Sequence, residues 1–148
     1  MKHDESQLQI ELVQLFRTKI QNMCGSSFIQ LNKTFEVING NCFLTSTRNE
    51  EKSTIQGAVR LKQLGMLSGI SDLILFYVED KIVKCVFLEL KTQEAYEKDK
   101  KNHGLRDTQI KFRDMVETYL PNGDVHFVIT KPSEFLNVLV NKKILKTS

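Results

Sequence analysis

The feature that most constrains the fold of this chain is a pair of apolar runs separated by three polar residues. The runs are "DLILFYV" and "IVKCVFL", and Glu79-Asp80-Lys81 lies between them. Apolar segments of this length, rich in β-branched and aromatic residues, are typical of buried strands, and a short polar interruption is typical of a turn. The pattern therefore predicts an antiparallel hairpin over residues 72 to 91.

Charged side chains stand at the open end of this hairpin. Asp72 begins the first strand, and Glu89 and Lys91 end the second. Because alternate residues of a strand project to the same face, Glu89 and Lys91 point the same way. Counting outward from Asp80, Asp72 is eight residues back and Glu89 is nine forward. An antiparallel hairpin therefore makes the two carboxylates near neighbours, with a lysine beside them.

This combination of groups predicts hydrolytic chemistry. Two carboxylates held close together repel each other, and a shared proton or a bound cation relieves the repulsion. Carboxylate oxygens are hard ligands that suit Mg²⁺ or Mn²⁺, ions that also accept phosphate oxygens. Lys91 is then expected to assist the attacking water or to neutralise charge on a phosphate. We expect a site that hydrolyses phosphodiesters, and the plainer alternative is a solvated surface ion pair.

Length and composition indicate one domain inside a cell. At 148 residues the chain has room for a single core of ordinary size, so residues 1–148 are expected to form one unit. No apolar run approaches the roughly 20 residues that cross a bilayer, and the start, "MKHDESQLQIELVQ", lacks the apolar segment of a secretory signal. Cys24, Cys42 and Cys85 form no C-x-x-C pair, which argues against disulfides and a zinc ribbon. We expect an intracellular protein with no membrane partner.

Helical periodicity recurs along the chain. Apolar residues at helical spacing predict helices over about 7–22, 54–64, 105–119 and 133–140. Asp4 or Ser6 is expected to cap the first helix and Ser133 the last. The charged stretch 92–103 is expected to be a loop.

Strand patterns occur on both sides of the central hairpin. One lies over 27–47, where Asn39-Gly40 is a strong hairpin-turn signal, and another over 125–130. Strands and helices in this order predict an α/β fold in which helices flank a mixed central sheet. In such folds, loops at the ends of strands carry the functional site.

The order of the charged motifs resembles a known nuclease superfamily. Gly69-x-x-Asp72 followed by Glu89-x-Lys91 is similar to the signature of the PD-(D/E)XK nucleases. More narrowly, "GAVRLKQLGMLSGISDLI" and "FLELKT", followed by Gln109 in "LRDTQIKF", resemble the VRR-NUC domain, the virus-type replication-repair nuclease module. The resemblance implies a restriction-endonuclease-like core.

The first helix also takes part in the resemblance, which spans about residues 5–139. "ESQLQIELVQLF" is similar to the family's first helix, whose leading glutamate reaches the metal site and corresponds here to Glu5. Glu11 is the alternative in the same helix, but six residues at about 3.6 per turn rotate it by about 240° to another side. Ser71 stands where the family usually has proline.

The resemblance also implies roles for individual residues. The implied ligands for Mg²⁺ or Mn²⁺ are Asp72, Glu89, the Leu90 backbone carbonyl and Glu5. Lys91 would position the attacking water, and Gln109 would support the site, whereas the plainer interpretation of Gln109 is that it caps or solvates its helix. Gly69 is expected either to permit a tight turn or to let backbone and phosphate approach the metal.

The function that the resemblance implies is a metal-dependent DNA endonuclease. Small members of the family are associated with branched DNA such as four-way junctions, and with phages and mobile elements. Because two strands must be cut, we expect a homodimer. The alternatives are a catalytically silent nucleic-acid-binding module on the same fold, and a nuclease that acts on RNA or on a specific duplex sequence.

Basic residues beside the end of the second strand are candidate DNA contacts. They are Lys98, Lys100, Lys101 and Arg106, in "KDKKNHGLR". Acidic neighbours dilute this run, so a solvated loop is the alternative interpretation. The net charge of +3 permits nucleic-acid binding without requiring it.

The remaining charged groups have plainer interpretations. The lysines near the end of the chain, expected to form a solubilising tail, are Lys142, Lys143 and Lys146. The histidines, which show no metal-ligand spacing and are expected to be surface or hydrogen-bonded residues, are His3, His103 and His126.

Overall fold

The computed structural model describes residues 4–17, 35–47, 56, 59–60, 63, 67–120 and 124–147. The helices are α1 (Glu5–Phe16), α2 (Gln93–Lys98), α3 (Asp107–Tyr119) and α4 (Pro132–Asn141). The strands are β1 (Phe35–Val37), β2 (Cys42–Ser46), β3 (Leu73–Glu79), β4 (Ile82–Leu90), β5 (His126–Ile129) and β6 (Leu145–Thr147). Residues 56, 59–60 and 63 are also helical, which agrees with the helix expected over about 54–64.

Four of the strands form a mixed sheet that is flanked by helices. Its strand order is β2-β3-β4-β5, in which β4 and β5 run parallel and the other neighbours run antiparallel. β1 and β6 form a separate antiparallel pair. The expected α/β architecture, a mixed sheet with helices beside it, is confirmed.

β3 and β4 form the hairpin that the sequence predicts. The two strands pair antiparallel along their length, with Leu73 opposite Leu88 at the open end. At the turn, Asp80 and Lys81 have φ angles of 52° and 65°, which is the left-handed conformation that a tight hairpin turn requires. Alternate residues of β3 are buried, so one face of this strand packs into the core.

Helices cover both faces of β4. Leu88 belongs to the buried core together with Leu12 of α1. The neighbouring Phe87 contacts Phe112 of α3, and their ring centroids lie 5.1 Å apart. Since successive residues of a strand project to opposite faces, α1 and α3 lie on opposite sides of the sheet. Glu89 and Lys91 share the face of Phe87, and the site therefore lies on the α3 side.

The turn at Asn39-Gly40 does not form the hairpin that the sequence predicts. β1, before the turn, pairs with β6, and β2, after it, pairs with β3. The Asn39 side chain donates to the Val78 carbonyl at 2.8 Å and accepts from the Asn41 N–H at 3.0 Å. The predicted hairpin is therefore wrong, because tertiary contacts pair the strands on either side of the turn with different partners.

The C-terminal lysines are not simply a solubilising tail. Lys146 lies in β6, and its ammonium is 3.3 Å from a carboxylate oxygen of Glu36 on β1. The Lys142 ammonium donates to the Asp124 carbonyl at 2.6 Å. β6 was missed because its polar residues face outward, and only Leu145 is buried.

The first helix begins earlier than expected. Asp4 caps it by accepting a hydrogen bond from the Gln7 N–H at 2.7 Å, as the sequence predicts for this residue type. The helix then runs over Glu5–Phe16. Positions 18–22 of the expected helix lie outside the described residues.

Two other helix starts differ from expectation. Part of the stretch 92–103 expected to be a loop forms α2, which Thr92 caps through a 3.1 Å bond to a backbone N–H of the first turn. This helix buries no residue, so it has no apolar periodicity by which to predict it. α4 begins at Pro132, with Lys131 and not Ser133 at its cap. In the described part of the chain, no helix is long and apolar enough to cross a membrane.

Candidate active site

The open end of the hairpin brings Asp72 and Glu89 together, as the residue count predicts. One Asp72 oxygen accepts the Leu90 N–H at 2.9 Å, which holds this carboxylate against the end of β4. The two carboxyls lie close enough for the negative charge of Asp72 to raise the pKa of Glu89. The hairpin register thus produces a pair of adjacent carboxyl groups at one edge of the sheet.

Glu89 is buried at this edge. Its residue surface is only 2% exposed, and that of Lys91 is 6% exposed. Burial, followed by the negative charge of Asp72, raises the pKa of Glu89 from its ordinary value of 4.5 to about 9, and the nearby Lys91 ammonium opposes this rise. Burial and the second carboxyl both disfavour an uncompensated negative charge on Glu89. A proton or a cation at this place would compensate that charge.

Gln109 of α3 reaches this carboxyl directly. Its amide nitrogen donates to Glu89 Oε1 at 2.8 Å, and its amide oxygen accepts the Arg106 N–H at 2.9 Å. The side chain is buried, with 4% of the residue exposed. Because the Gln109 amide oxygen accepts the Arg106 N–H, the NH₂ group is the end of the amide that faces Glu89. Gln109 both caps its helix and contacts the predicted site.

Glu5 lies at the first turn of α1, half-buried. It is close enough to Glu89 to raise the pKa of that carboxyl, although less than burial and Asp72 do. Glu11 lies farther along the same helix, where it is also half-buried. We call Glu5, Asp72, Glu89, Lys91 and Gln109 the carboxylate cluster.

Lys91 is held in place by β5. Its backbone N–H donates to the Ile129 carbonyl at 3.0 Å, which extends the parallel pairing of β4 and β5 by one residue. A lysine with so little exposure is unusual unless a negative group lies near it. Here Lys91 lies close enough to Glu89 for its charge to lower the pKa of that carboxyl.

The oxygen donors of the cluster are of the type that hard divalent cations prefer. Glu89 Oε2 is buried and has no hydrogen-bond partner, an arrangement that is costly unless a ligand satisfies it. In the parts of the chain that the structure describes, no group of three or more His, Cys, Asp or Glu residues is arranged to enclose a metal ion. Carboxylates and a main-chain carbonyl without histidine or cysteine suit Mg²⁺ or Mn²⁺, of which Mg²⁺ usually keeps several waters, better than zinc.

The loop before β3 is fixed by contacts that the sequence did not reveal. The Thr47 hydroxyl donates to the Ser71 carbonyl, and the Thr47 N–H donates to the Asp72 carbonyl at 3.0 Å. Ser71 itself is fully buried, and its hydroxyl has no partner. A threonine far away in sequence carries no local signal of such a role.

The candidate DNA-binding residues lie on the α2 to α3 connection. All of them are exposed, and they are Lys98, Lys100, Lys101 and Arg106. The Lys98 ammonium is 2.9 Å from a Glu94 oxygen, so part of its charge is compensated within α2. The connection adjoins the carboxylate cluster, because the Arg106 backbone bonds to Gln109.

Two of the histidines are more buried than expected. His126 packs 6.2 Å from the Phe112 ring, and burial, with a smaller contribution from Arg113, lowers its pKa to about 4. His103 stacks on Tyr96 at a centroid distance of 4.9 Å. Each has a buried ring nitrogen without a partner, so neither is the fully hydrogen-bonded histidine that was expected. His3 lies outside the described residues.

The chain's own residues are the basis for assigning a function. The cluster joins one end of the central hairpin to the first turns of α1 and α3. Comparison with protein-family models, with curated proteins and with solved structures finds no match to this chain.

Proposed function

We propose that this protein is a DNA endonuclease dependent on Mg²⁺ or Mn²⁺, with a PD-(D/E)XK-type site like that of the VRR-NUC domains. The observation that carries the proposal is the environment of Glu89. This carboxyl is buried beside a second carboxyl and a lysine, with one oxygen bonded to Gln109 and the other without a partner. A structural ion pair does not need a second acid, whereas a cation site does.

The cluster divides into residues that would hold the cation and residues that act beside it. The Asp72 and Glu89 carboxylates and the Leu90 carbonyl would hold the ion, and Glu5 would complete its surroundings. When bound, a divalent cation supplies Lewis acidity and lowers the pKa of water. Gln109 keeps Glu89 Oε1 in a fixed direction, which leaves Oε2 free for the ion.

Lys91 acts on the reacting groups. Its ammonium has three donors, and its burial leaves few waters to compete for them. It donates to the attacking water and to a phosphate oxygen, and it stabilises the negative charge that grows on phosphorus-bound oxygens during hydrolysis. A neutral residue at this position cannot provide that charge.

The substrate class follows from the resemblance and from the surface beside the cluster. The exposed lysines and arginine of the α2 to α3 connection are suited to the phosphate backbone, which carries no sequence information directly. We propose branched DNA such as a four-way junction as the substrate, with two protomers cutting two strands. The enzyme would act inside a cell, in a phage or mobile-element context.

A cleavage assay tests this proposal. Labelled duplex, single-stranded, flap and four-way-junction DNA, with a matching RNA set, is incubated with wild type or Glu89→Ala in Mg²⁺, Mn²⁺ or chelator. We expect cutting by wild type only, with metal only, and fastest on the junction. Light scattering of the same sample should give the mass of a dimer.

A silent nucleic-acid-binding module is the second candidate. The raised pKa of Glu89 favours it, because a proton relieves the repulsion of two carboxyls as well as a cation does. Binding of DNA without cleavage, in every metal and with every substrate, would establish this candidate in place of the enzyme.

A further inference from the structure

Gly69, in the loop before Asp72, lies against the first turn of α3. Its φ is +76°, and a Cβ added to it would lie 2.1 Å from the Thr108 carbonyl oxygen and 2.8 Å from the Gln109 nitrogen. Real Cβ atoms essentially never come so close to backbone atoms. The space on this side of Gly69 is therefore filled by the peptide bond between Thr108 and Gln109.

That peptide bond carries the residue that contacts Glu89. The Gln109 nitrogen is one bond from its Cα, and its side chain ends 2.8 Å from Glu89 Oε1. On its other side, the loop is fixed by the Thr47 bonds to Ser71 and Asp72. If the loop moved to make room for a Cβ, Asp72 would move with it. If α3 moved instead, Gln109 would move with it.

We propose that Gly69 is a positioning residue that sets the distance between Gln109 and Glu89. The absence of a side chain lets α3 dock close enough for the amide to reach the carboxyl. The same loop presents Asp72, so one segment fixes both neighbours of Glu89. This role differs from the two expected for Gly69, a tight turn and room for an approaching phosphate.

A Cβ at Gly69 requires a displacement that is large for the hydrogen bond between Gln109 and Glu89. Ordinary van der Waals contact begins at 3.4 Å, so a Cβ at 2.1 Å from the Thr108 oxygen calls for a shift of about 1.3 Å. The Thr108 oxygen and the Gln109 nitrogen belong to one peptide bond, so this shift displaces the Gln109 backbone and with it the 2.8 Å bond to Glu89. Gly69→Ala is therefore expected to break this bond.

Gly104 provides a matched control. Its φ is +77°, and an added Cβ would lie 2.8 Å from the Ala95 carbonyl oxygen of α2. Gly104→Ala thus introduces similar backbone strain and a milder clash with a helix carbonyl, on a helix other than the one that carries Gln109. Asparagine adopts positive φ more readily than alanine, so Gly69→Asn supplies the clash with less strain if Gly69→Ala does not fold.

The first experiment needs no metal and no activity. The side-chain NH₂ signal of Gln109 is assigned in metal-free protein by its loss in Gln109→Ala, and its hydrogen exchange is measured. Wild type and Gly104→Ala should show a slowly exchanging NH₂ group, and Gly69→Ala or Gly69→Asn a rapidly exchanging one. An unchanged Gln109 signal in both Gly69 variants, or its equal loss in Gly104→Ala, would overturn the proposal.

The second experiment rests on the proposed function and is interpreted separately. Mg²⁺ affinity is measured by calorimetry for Gly69→Ala, Gln109→Ala and the double variant. Loss of a residue that orients a metal ligand typically weakens metal binding by about 10-fold to 100-fold. If Gly69 acts through Gln109, the double variant should bind as Gln109→Ala does. Additive losses would contradict the positioning role, whereas a wild type without Mg²⁺ affinity would count against the proposed function and leave the amide result standing.

Discussion

The central hairpin carries an acid and a lysine at each end, and the two pairs behave in opposite ways. At the turn, the Lys84 ammonium is 2.9 Å from a Glu79 oxygen, and both side chains are well exposed, at 41% and 36%. At the open end, Glu89 and Lys91 are 2% and 6% exposed. The pKa of Glu79 is lowered by its bond to Lys84, whereas the pKa of Glu89 is raised to about 9.

The difference shows that the environment, and not the residue types, decides what such a pair does. Water screens the exposed pair, and pairs of this kind contribute little to stability. At the open end, burial and the second carboxyl of Asp72 outweigh the attraction of Lys91. Buried acids with a strongly raised pKa cluster at functional sites, whereas the pKa of Glu79 at the turn is lowered.

The largest expected effect is on cleavage. Glu89→Ala and Lys91→Ala should each lower the rate by about 100-fold to 1,000-fold, because Glu89 would hold the cation and Lys91 would stabilise developing charge. Glu79→Ala and Lys84→Ala, which change the same residue types on the same hairpin, should leave the rate within about twofold. Single-turnover cleavage measures both sets, and circular dichroism reports folding. Equal losses of cleavage rate at the two ends of the hairpin would show that the buried pair has no special role in cleavage.

Stability against pH should separate the two acids next. The folded-state pKa of Glu89 is raised, so its contribution to stability is fully present below its unfolded value of 4.5 and is lost as the pH rises through about 9. Metal-free wild type should therefore lose stability over that range. Urea unfolding at several pH values should show a flatter profile for Glu89→Gln.

Glu79 has the opposite sign and serves as the control for that experiment. Its lowered pKa gives a contribution that is present above its unfolded value and lost as the pH falls. Glu79→Gln should leave the decline between pH 4.5 and about 9 unchanged. If the loss of stability disappears in Glu79→Gln but persists in Glu89→Gln, Glu79 and not Glu89 causes it, and this prediction is wrong.

DNA affinity should depend on the lysines near the open end and not on those near the turn. Lys100→Ala with Lys101→Ala should reduce the slope of log K against log salt by about 1.8, since each phosphate contact contributes about 0.9. The matched double variant, Lys81→Ala with Lys84→Ala, should keep the wild-type slope. Titrations at several salt concentrations measure it, and equal slopes for all three proteins would exclude the loop from the interface.

The smallest expected effect concerns Ser71 at the open end. Its buried hydroxyl has no partner, and such a group costs roughly 1 to 3 kcal/mol. Ser71→Ala should therefore raise the free energy of unfolding by about 1 kcal/mol and leave Mg²⁺ affinity unchanged. A lower stability, measured by urea unfolding, would show that the hydroxyl takes part in a hydrogen bond.

Much of the site could be predicted from the sequence because its geometry is local. A hairpin of known turn position brings residues at equal distances from the turn together, so Asp72 and Glu89 had to meet. Thr47 and Gly69 could not be assigned in the same way. Their contacts are with Ser71 and with Thr108, and nothing within a few residues of either indicates the partner.

The sequence by itself determined the central hairpin, the mixed α/β class and the convergence of acids and lysine at one strand end. Periodicity and turn chemistry act over a few residues, and these features need nothing more. The tertiary structure decided that β1 pairs with β6, and that Gln109 reaches Glu89. It also decided the pKa of Glu89, because a pKa depends on solvent exclusion and on charges brought close by folding.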